Sequence, residues 1–572
     1  MMIQKKLQAW RPFFHLLSVS GIPWIWYLAD VLFGLVISML TVRLPQITGA
    51  IMQGEIFDKG LIADYAGITL FSMLLSFLST LFGSWIGFHT DQVLRKTLWN
   101  HFLYFPMSVY QACRPSSLIS RITQDTSGIS YGISSCIGVV TNTWTIFLML
   151  KNVYDMNHKM VISMAVVVPW LILVSLVTGR FAFKASCRAQ EQFADFTAVI
   201  TERLSNIKGI KLHGEEAAEF KKGQSAARRQ YEADLYQARV NLFSQPFIYS
   251  SEAFLKAFFL IYGGFLIRRG ELDSGEFITI YMYLEMLPIF AIQYIFAYQT
   301  LKEAQGASMR AGQLLLEPTE SLHTGEPLER LCQDIRFQDV SFSYDDRPVL
   351  SHATFTIPSG IATAIVGPSG SGKTTILQLL KRFFVPCEGH ILLGKTDIQR
   401  YRLNDWRSKF CPVSQSSPLL SDTIRSNLSY GCPQAVKKEQ LEQAARQARA
   451  YGFICRLPQK FLSKTGEMGS RFSAGERQRL ALARALVRDP QCLLLDESTC
   501  HLDAARARDV QKNILMKMEN RTCVIVTHDM NLARTVGHII VLDRGTVCGE
   551  GTHDTLYESC RVYRNLYDKA IS

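Results

Sequence analysis

Charge is scarce in this chain. Asp, Glu, Lys and Arg make up 19% of its 572 residues, below the quarter that soluble globular proteins carry. Cysteine spacing that would suit a disulfide framework is also lacking. The thirteen cysteines are scattered, most of them beyond residue 330, where a reducing cytosol is expected, so free thiols and no disulfides are predicted. The neighbouring Cys500 and His501 lack the further converging ligands that zinc requires, which excludes a zinc site there. The start, MMIQKKLQAWRPFFHLL, lacks a short apolar core with a small-residue cleavage site. A cleaved signal peptide is therefore not expected, and residues 1–20 read as an interfacial, basic, amphipathic helix.

What the chain does have is apolar length. Hydrophobic residues reach 48% and aromatics 11%, with long apolar stretches before residue 300 and a soluble α/β composition beyond 330. Such a length exceeds one ordinary core, so two or more domains are expected. A net charge of +12 suits either a nucleic-acid binder or a membrane protein with basic cytoplasmic loops. The positive residues flank apolar segments, so the reading is a multi-pass protein of a lipid bilayer, with no nucleic acid.

A span needs about 20 apolar residues. Six stretches qualify, at about 23–44, 62–88, 129–152, 160–182, 245–268 and 276–299, within a transmembrane domain expected over 21–305. The gaps after the second and fourth run about 40 and 60 residues, longer than ordinary connections. Both look helical and basic, which places them, both termini and everything after residue 330 in the cytoplasm, with a bacterial inner or cell membrane as the expected location. A polar linker is expected over 306–333. From Ile335 strands and helices alternate, which implies a mostly parallel sheet over 334–572.

GPSGSGKT, Gly367 to Thr374, follows the apolar strand TAIV and opens a helix, the context of a phosphate-binding loop. Glycines let backbone N–H groups curl around an anion, and the helix N-terminus adds partial positive charge. The candidate cradle is Gly367, Pro368, Ser369, Gly370, Ser371, Gly372, Lys373, Thr374 and Thr375. Lys373 would reach the β- and γ-phosphates of ATP, and the Thr374 hydroxyl would ligate Mg²⁺. Downstream, CLLLDE reads as a buried strand ending in two acids. Asp496, at the end of a neighbouring strand, would hold Mg²⁺ through water, and Glu497, across the pleat, would activate the attacking water.

Five further stretches make the C-terminal half resemble the nucleotide-binding domain of an ATP-binding cassette (ABC) transporter over about 334–565. Tyr344 in SFSYDDRPVL matches the aromatic that stacks on adenine. Gln415 in CPVSQSSPLL matches the glutamine that senses Mg²⁺ and water. RFSAGERQR, with Ser473, Ala474, Gly475 and Glu476, resembles the signature loop that meets the partner's ATP. His528 in VIVTHD matches the switch histidine on the γ-phosphate, and Asp503 the loop coupling the two ATP sites. The six spans resemble an exporter-type half-transporter, with SSLISRITQD (116–125) and LHGEEAAEF (212–220) similar to the contact regions between membrane domain and cassette. The fold class expected is thus an all-α six-helix transmembrane domain with long cytoplasmic helical extensions, followed by an α/β P-loop ATPase domain.

The resemblance implies an ATP-hydrolysing translocase that works as a dimer by alternating access, using ATP and Mg²⁺, and exporting a hydrophobic, amphipathic or peptide-like molecule. An importer on the same fold, of siderophore-like substrates, and a non-transporting regulator or channel are the alternatives. The chain departs from the family at Phe472, Ala474 and Glu476 and in CHLD, while its own ATP-binding face keeps the matching residues. A heterodimer with one weak ATP site and a homodimer both stay open. Ionisable residues inside spans, Asp30, Glu252, Lys256 and Glu285, are the candidate substrate contacts. Glu285 stands near Tyr281 and Tyr283 in sequence, a setting for a cationic or amphipathic ligand, with a helix–helix hydrogen bond as the plainer role. Glu252 and Lys256 could equally form an internal i,i+4 pair.

Overall fold

Long continuous apolar runs suit the α-helix, which satisfies its own backbone hydrogen bonds in a bilayer. The computed structural model describes residues 11–54, 59–113, 115–345, 347–414, 418–497 and 504–571. Gln415 and Asp503 lie outside these residues, as do positions 1–10 of the expected interfacial helix. The chain divides into two compact units, Met1–Phe102 with Pro115–Glu317, and Leu103–Arg114 with Pro318–Ser572.

The first unit is helical. A short helix α1 (Arg11–Val19) is followed by α2 (Trp24–Gln53) and α3 (Lys59–Leu103). The run Pro115–Met156 is helical throughout, with a π-helical turn at Arg121–Asp125 before α4 (Thr126–Met156). Then come α5 (His158–Ser205), α6 (Glu216–Arg268) and α7 (Ser274–Leu315). Asn157 starts α5 by accepting the backbone N–H groups of Lys159 and Met160, an ordinary N-cap. The six stretches read as spans fall on α2 to α7, but the helices are far longer. At about 1.5 Å per residue, the 53 residues of α6 reach well beyond a hydrocarbon core of about 30 Å. Among the described residues, Trp24–Gln53, Lys59–Leu103, Ser117–Met156 and Ser274–Leu315 are long and apolar enough to cross a membrane. Exposed Leu70, Phe71, Met73, Leu74 and Phe77 on α3 would be costly in water and suit lipid. The connector expected from residue 306 begins as helix, since α7 continues to Leu315.

Close packing of α2 against α7 depends on two missing side chains. A Cβ on Gly49 would stand 2.4 Å from the Gly275 carbonyl, and one on Gly275 would stand 2.4 Å from the Gly49 carbonyl. The backbones therefore touch, as small residues allow in membrane helices. Tyr283 crosses the same interface and donates to the Val42 carbonyl at 2.6 Å.

The second unit holds two sheets. β1 (Ile335–Tyr344), β2 (Arg347–Ile357), β4 (Glu388–Leu393) and β5 (Thr396–Asp397) form an antiparallel sheet in the order β2-β1-β4-β5. β3 (Ala362–Val366), β6 (Phe410–Val413), β7 (Cys492–Asp496), β8 (Thr522–Val526), β9 (His538–Asp543) and β10 (Thr546–Gly551) form the other, in the order β10-β9-β3-β8-β7-β6. Its pairs are parallel except β9 with β10. Both faces are covered, as a parallel sheet requires. Leu493, Leu495, Cys523 and Ile525 point into one core, and Cys492, Leu494, Val524 and Val526 into the other. That two-residue alternation makes CLLLD apolar throughout and leaves Asp496 at its open end.

Candidate active site

The carboxyl ends of β3, β7 and β8 share one edge of the parallel sheet, where open α/β sheets bind ligands. The sequence reading made β7 a neighbour of β3; in the structure β8 lies between them, with Asp496 in register with Val526. After β3 the loop Gly367–Gly372 leads into helix α8 (Lys373–Leu380). Gly372 takes φ of +99°, and a Cβ there would meet Leu350 Cδ2 at 2.8 Å, so only glycine fits this turn without strain. The loop is ready for an anion. Lys373 is buried and its Nζ donates to the carbonyls of Gly367 (2.9 Å) and Pro368 (2.8 Å). The buried Ser371 hydroxyl has no hydrogen-bond partner among the described residues. A buried cation, an orphaned hydroxyl and a helix N-terminus fit a polyphosphate.

Thr374 Oγ1 lies 3.2 Å from Asp496 Oδ1, so the two groups assigned to a divalent cation are brought together. Burial pushes the Asp496 carboxyl above its ordinary range, against the Thr374 hydrogen bond and the charges of Lys381 and Lys373. Burial likewise pushes the Lys373 ammonium down, opposed by Glu497 and Asp496. Glu497 follows in the left-handed region at φ +48°, uncommon for such a residue and typical of functional turns. Its N–H still bonds the Val526 carbonyl at 3.0 Å. Its Oε1 faces His528 Nε2 at 3.0 Å, beyond the end of β8. Tyr344 is half-buried and packs edge-on against Phe342 and Phe384.

Ser473 caps helix α9 (Ala474–Val487). Its hydroxyl accepts the Glu476 N–H at 3.3 Å and donates to Glu476 Oε2 at 2.9 Å, and that same oxygen accepts the Ser473 N–H at 3.0 Å. The box explains Glu476 locally, and it occupies the hydroxyl that the resemblance aims at a partner's phosphate. Sequence reasoning missed Gln478, whose Nε2 donates to the Glu497 carbonyl at 3.3 Å, and Lys381, whose charge acts on Asp496. Gln478 lies in the quoted RFSAGERQR, five residues past Ser473, and only the fold shows its target.

The ABC transporter transmembrane region family matches residues 24–288, and the ABC transporter family matches residues 350–500. An ATP-dependent lipid A-core flippase of Shewanella denitrificans is 31% identical over 519 residues, covering 89% of this chain and 86% of the relative. This chain belongs to the ABC transporter family. A multidrug resistance ABC transporter ATP-binding and permease protein of Lactococcus lactis is 28% identical over 570 residues, covering 98% of this chain and 96% of the relative. The solved structure of a bacterial Atm1-family ABC exporter with ATP bound shares the fold, with a TM-score of 0.82, 23% identity and coverage of 95% and 97%. The protein is thus a membrane-embedded ABC half-transporter of exporter type, whose ATPase domain couples ATP hydrolysis to transport.

The candidate substrate contacts of this ABC transporter stand on α2, α6 and α7, and Glu285 takes the helix–helix role. Glu285 is not a free cavity carboxylate: its Oε1 is 3.3 Å from Lys256 Nζ, an ion pair between α7 and α6. Tyr283 is turned away into the α2 interface. The side chain of Glu252 lies outside the described residues, and Lys256 looks across to α7. Asp30 rests against Gly83 and Ser79 of α3. A cavity of about 550 Å³ between α3 and the start of α4 was not foreseen. Phe88 and Tyr131 line it beside the small residues Gly87, Ser84, Ser130 and Ser134, and Asp91 and Arg95 bring charge to it. Arg95 and Asp91 pair at 2.6 Å, and Arg95 also reaches Ser127 Oγ at 3.1 Å.

Proposed function

We propose that this half-transporter uses Mg²⁺-ATP to export amphipathic molecules with a charged head, from a bacterial inner membrane, with its termini and ATPase domain in the cytoplasm. The observation that carries the ATPase part is the convergence of Lys373, Thr374, Asp496, Glu497 and His528 at the ends of β3, β7 and β8. Gly367 to Thr375 would hold the phosphates, with Ser371 Oγ finding its partner there. Thr374 and Asp496, with Gln415, would hold Mg²⁺, which supplies charge neutralisation on the phosphates when bound. Glu497 takes a proton from water, and His528 fixes the carboxylate by its 3.0 Å contact and reads the terminal phosphate. Tyr344 offers a ring to the adenine, and Asp503 belongs to the coupling loop.

The substrate class is supported by the 550 Å³ cavity, a volume that suits a drug-sized ligand. Its Phe88 ring lies at the end of the expected second span and the Asp91–Arg95 pair a turn or two beyond, with Tyr131 facing the same space, so an aromatic or apolar body and a charged head would each find a matching group. The relatives named as a lipid A-core flippase and a multidrug transporter act on molecules their names describe, and the same class is proposed for this chain. The direction is tested in inside-out proteoliposomes of the reconstituted transporter with fluorescent dodecyl phosphate and dodecylamine. ATP-dependent accumulation in the lumen supports export; ATP-dependent depletion would make the chain an importer, and no nucleotide effect on either probe would remove transport of this class.

The Glu476 carboxylate supports an unequal pair of ATP sites in a heterodimer. It adds a negative charge where the resemblance places a partner's terminal phosphate. Removing one such charge is worth about 1 kcal/mol in a solvated interface. Glu476→Gln in the assembled dimer is therefore expected to raise ATP turnover roughly fivefold, measured as phosphate release at saturating ATP. An unchanged or lower rate would count against a site weakened by charge.

A further inference from the structure

The far end of the phosphate-binding helix is held by two consecutive side chains. Helix α10 (Leu403–Lys409) carries Trp406 and Arg407. Trp406 Nε1 donates to the Leu380 carbonyl at 2.7 Å. Arg407 Nε donates to Lys381 O at 3.1 Å and its Nη2 to Arg382 O at 2.9 Å. Leu380 and the C-cap Lys381 present carbonyls that a helix leaves without intrahelical partners, Arg382 follows just past the end, and a cation there also suits the helix dipole. The same guanidinium grips Glu320 with both nitrogens, at 2.6 and 2.7 Å. That fork geometry is directional, and both side chains are mostly shielded, 25% and 15% exposed.

Glu320 stands just past Glu317, where the chain leaves the membrane unit. Its N–H donates to the Tyr104 carbonyl at 2.7 Å. Tyr104 belongs to Leu103–Arg114, the segment that α3 feeds into the ATPase unit and that returns to the membrane unit at Pro115. The connector beyond Glu320 has no regular structure, and such segments are ordinarily mobile. Here it is pinned, by Asn404 N–H on Leu322 O, Glu326 N–H on Arg400 O and Arg402 N–H on Glu326 O. Within the membrane unit the same passages are tied again. Buried Asp125, in the π-turn after Pro115, accepts from Arg310 near the end of α7 and from Arg121.

We propose that Glu320 and Arg407 form a transmission strut, positioning residues that carry movement of the phosphate-binding helix to the points where the chain passes into the membrane unit. A cap alone would need only Arg407 and the carbonyls of Lys381 and Arg382. The second half of the guanidinium is spent on a connector residue whose own N–H holds the other passage. Any shift of α8 on nucleotide binding moves Arg407, and with it Glu320 and Tyr104. The strut rests on the reading that ATP drives the membrane helices, and its test needs no transported substrate.

The test is hydrogen exchange on the transporter assembled with its partner in nanodiscs, with and without Mg²⁺-ATP, for wild type, Glu320→Gln and Glu320→Asp. Nucleotide is expected to alter exchange in Leu103–Arg114 of the wild type. In Glu320→Gln the ATP-induced change around Gly367–Thr375 should persist, with affinity for a fluorescent ATP analogue within about twofold, while the change in Leu103–Arg114 shrinks roughly fivefold or more. Glu320→Asp should restore most of it. An undiminished response in Glu320→Gln would overturn the strut. So would equal loss at both peptides, which would mark Glu320 as a general stabiliser. A missing ATP response at Gly367–Thr375 in the wild type would instead break the ATPase reading on which the strut rests.

Discussion

Glu497→Gln is expected to lower ATP turnover roughly 10²–10⁴-fold and to leave ATP binding in place, so that the variant retains nucleotide through a spin column where the wild type releases product. The residue is outside the phosphate cradle: Lys373 and the loop carbonyls hold each other without it. Glutamine keeps the shape, can keep the contact to His528, and leaves the left-handed turn at φ +48° no more strained than before. It cannot accept a proton as a carboxylate does. Loss of turnover with retained binding therefore isolates general-base chemistry. Near-normal turnover would mean that another group activates water. Loss of binding and turnover together would mean that the Glu497 carboxylate holds the site, through its contact to His528 and its charge on Lys373.

The parts of this protein that were legible in the sequence are those set by local rules. Apolar length announced the helices α2 to α7, and GPSGSGKT between TAIV and an apolar helix announced the loop. CLLLDE announced a buried strand with acids at its end. The parts that were not legible depend on who meets whom. Thr374 and Asp496 are 122 residues apart in sequence, and nothing local says that β8 comes between their strands. Lys256 has an acid at each of two distances, Glu252 one turn away and Glu285 29 residues on; the near one was legible as an internal pair, and only the fold brings the far one to 3.3 Å. Arg407 reads as one more surface cation until the ends of α8 and the connector converge on it. Glu476 looked like a lost glutamine at the signature loop, and its capping box emerges only when Ser473 is placed at a helix start.

Asp496→Asn is expected to separate stability from function. In the folded protein burial holds the Asp496 carboxyl above its ordinary value, despite Thr374 and the two lysines. The charged form is thus disfavoured by folding. For a group with a raised folded pKa, its stabilising share is fully present below the unfolded value of about 3.9 and is lost as pH rises through the folded value. At pH 7 without nucleotide, the neutral asparagine should therefore make the ATPase domain slightly more stable, by about 1–2 °C once solvent screening is allowed for. The advantage should vanish as pH falls towards about 4. Hydrolysis should move the other way, falling roughly 10–100-fold as expected for a group that holds a metal through its water shell. With Mg²⁺-ATP present, the wild type gains binding energy that the variant lacks, so the order of melting temperatures should invert. Thermal unfolding of the detergent-purified transporter at two pH values, with and without Mg²⁺-ATP, reads all of this in one series. A variant already less stable at pH 7 without nucleotide would show that the Thr374 and lysine contacts outweigh burial, and that Asp496 supports the fold as well as the metal.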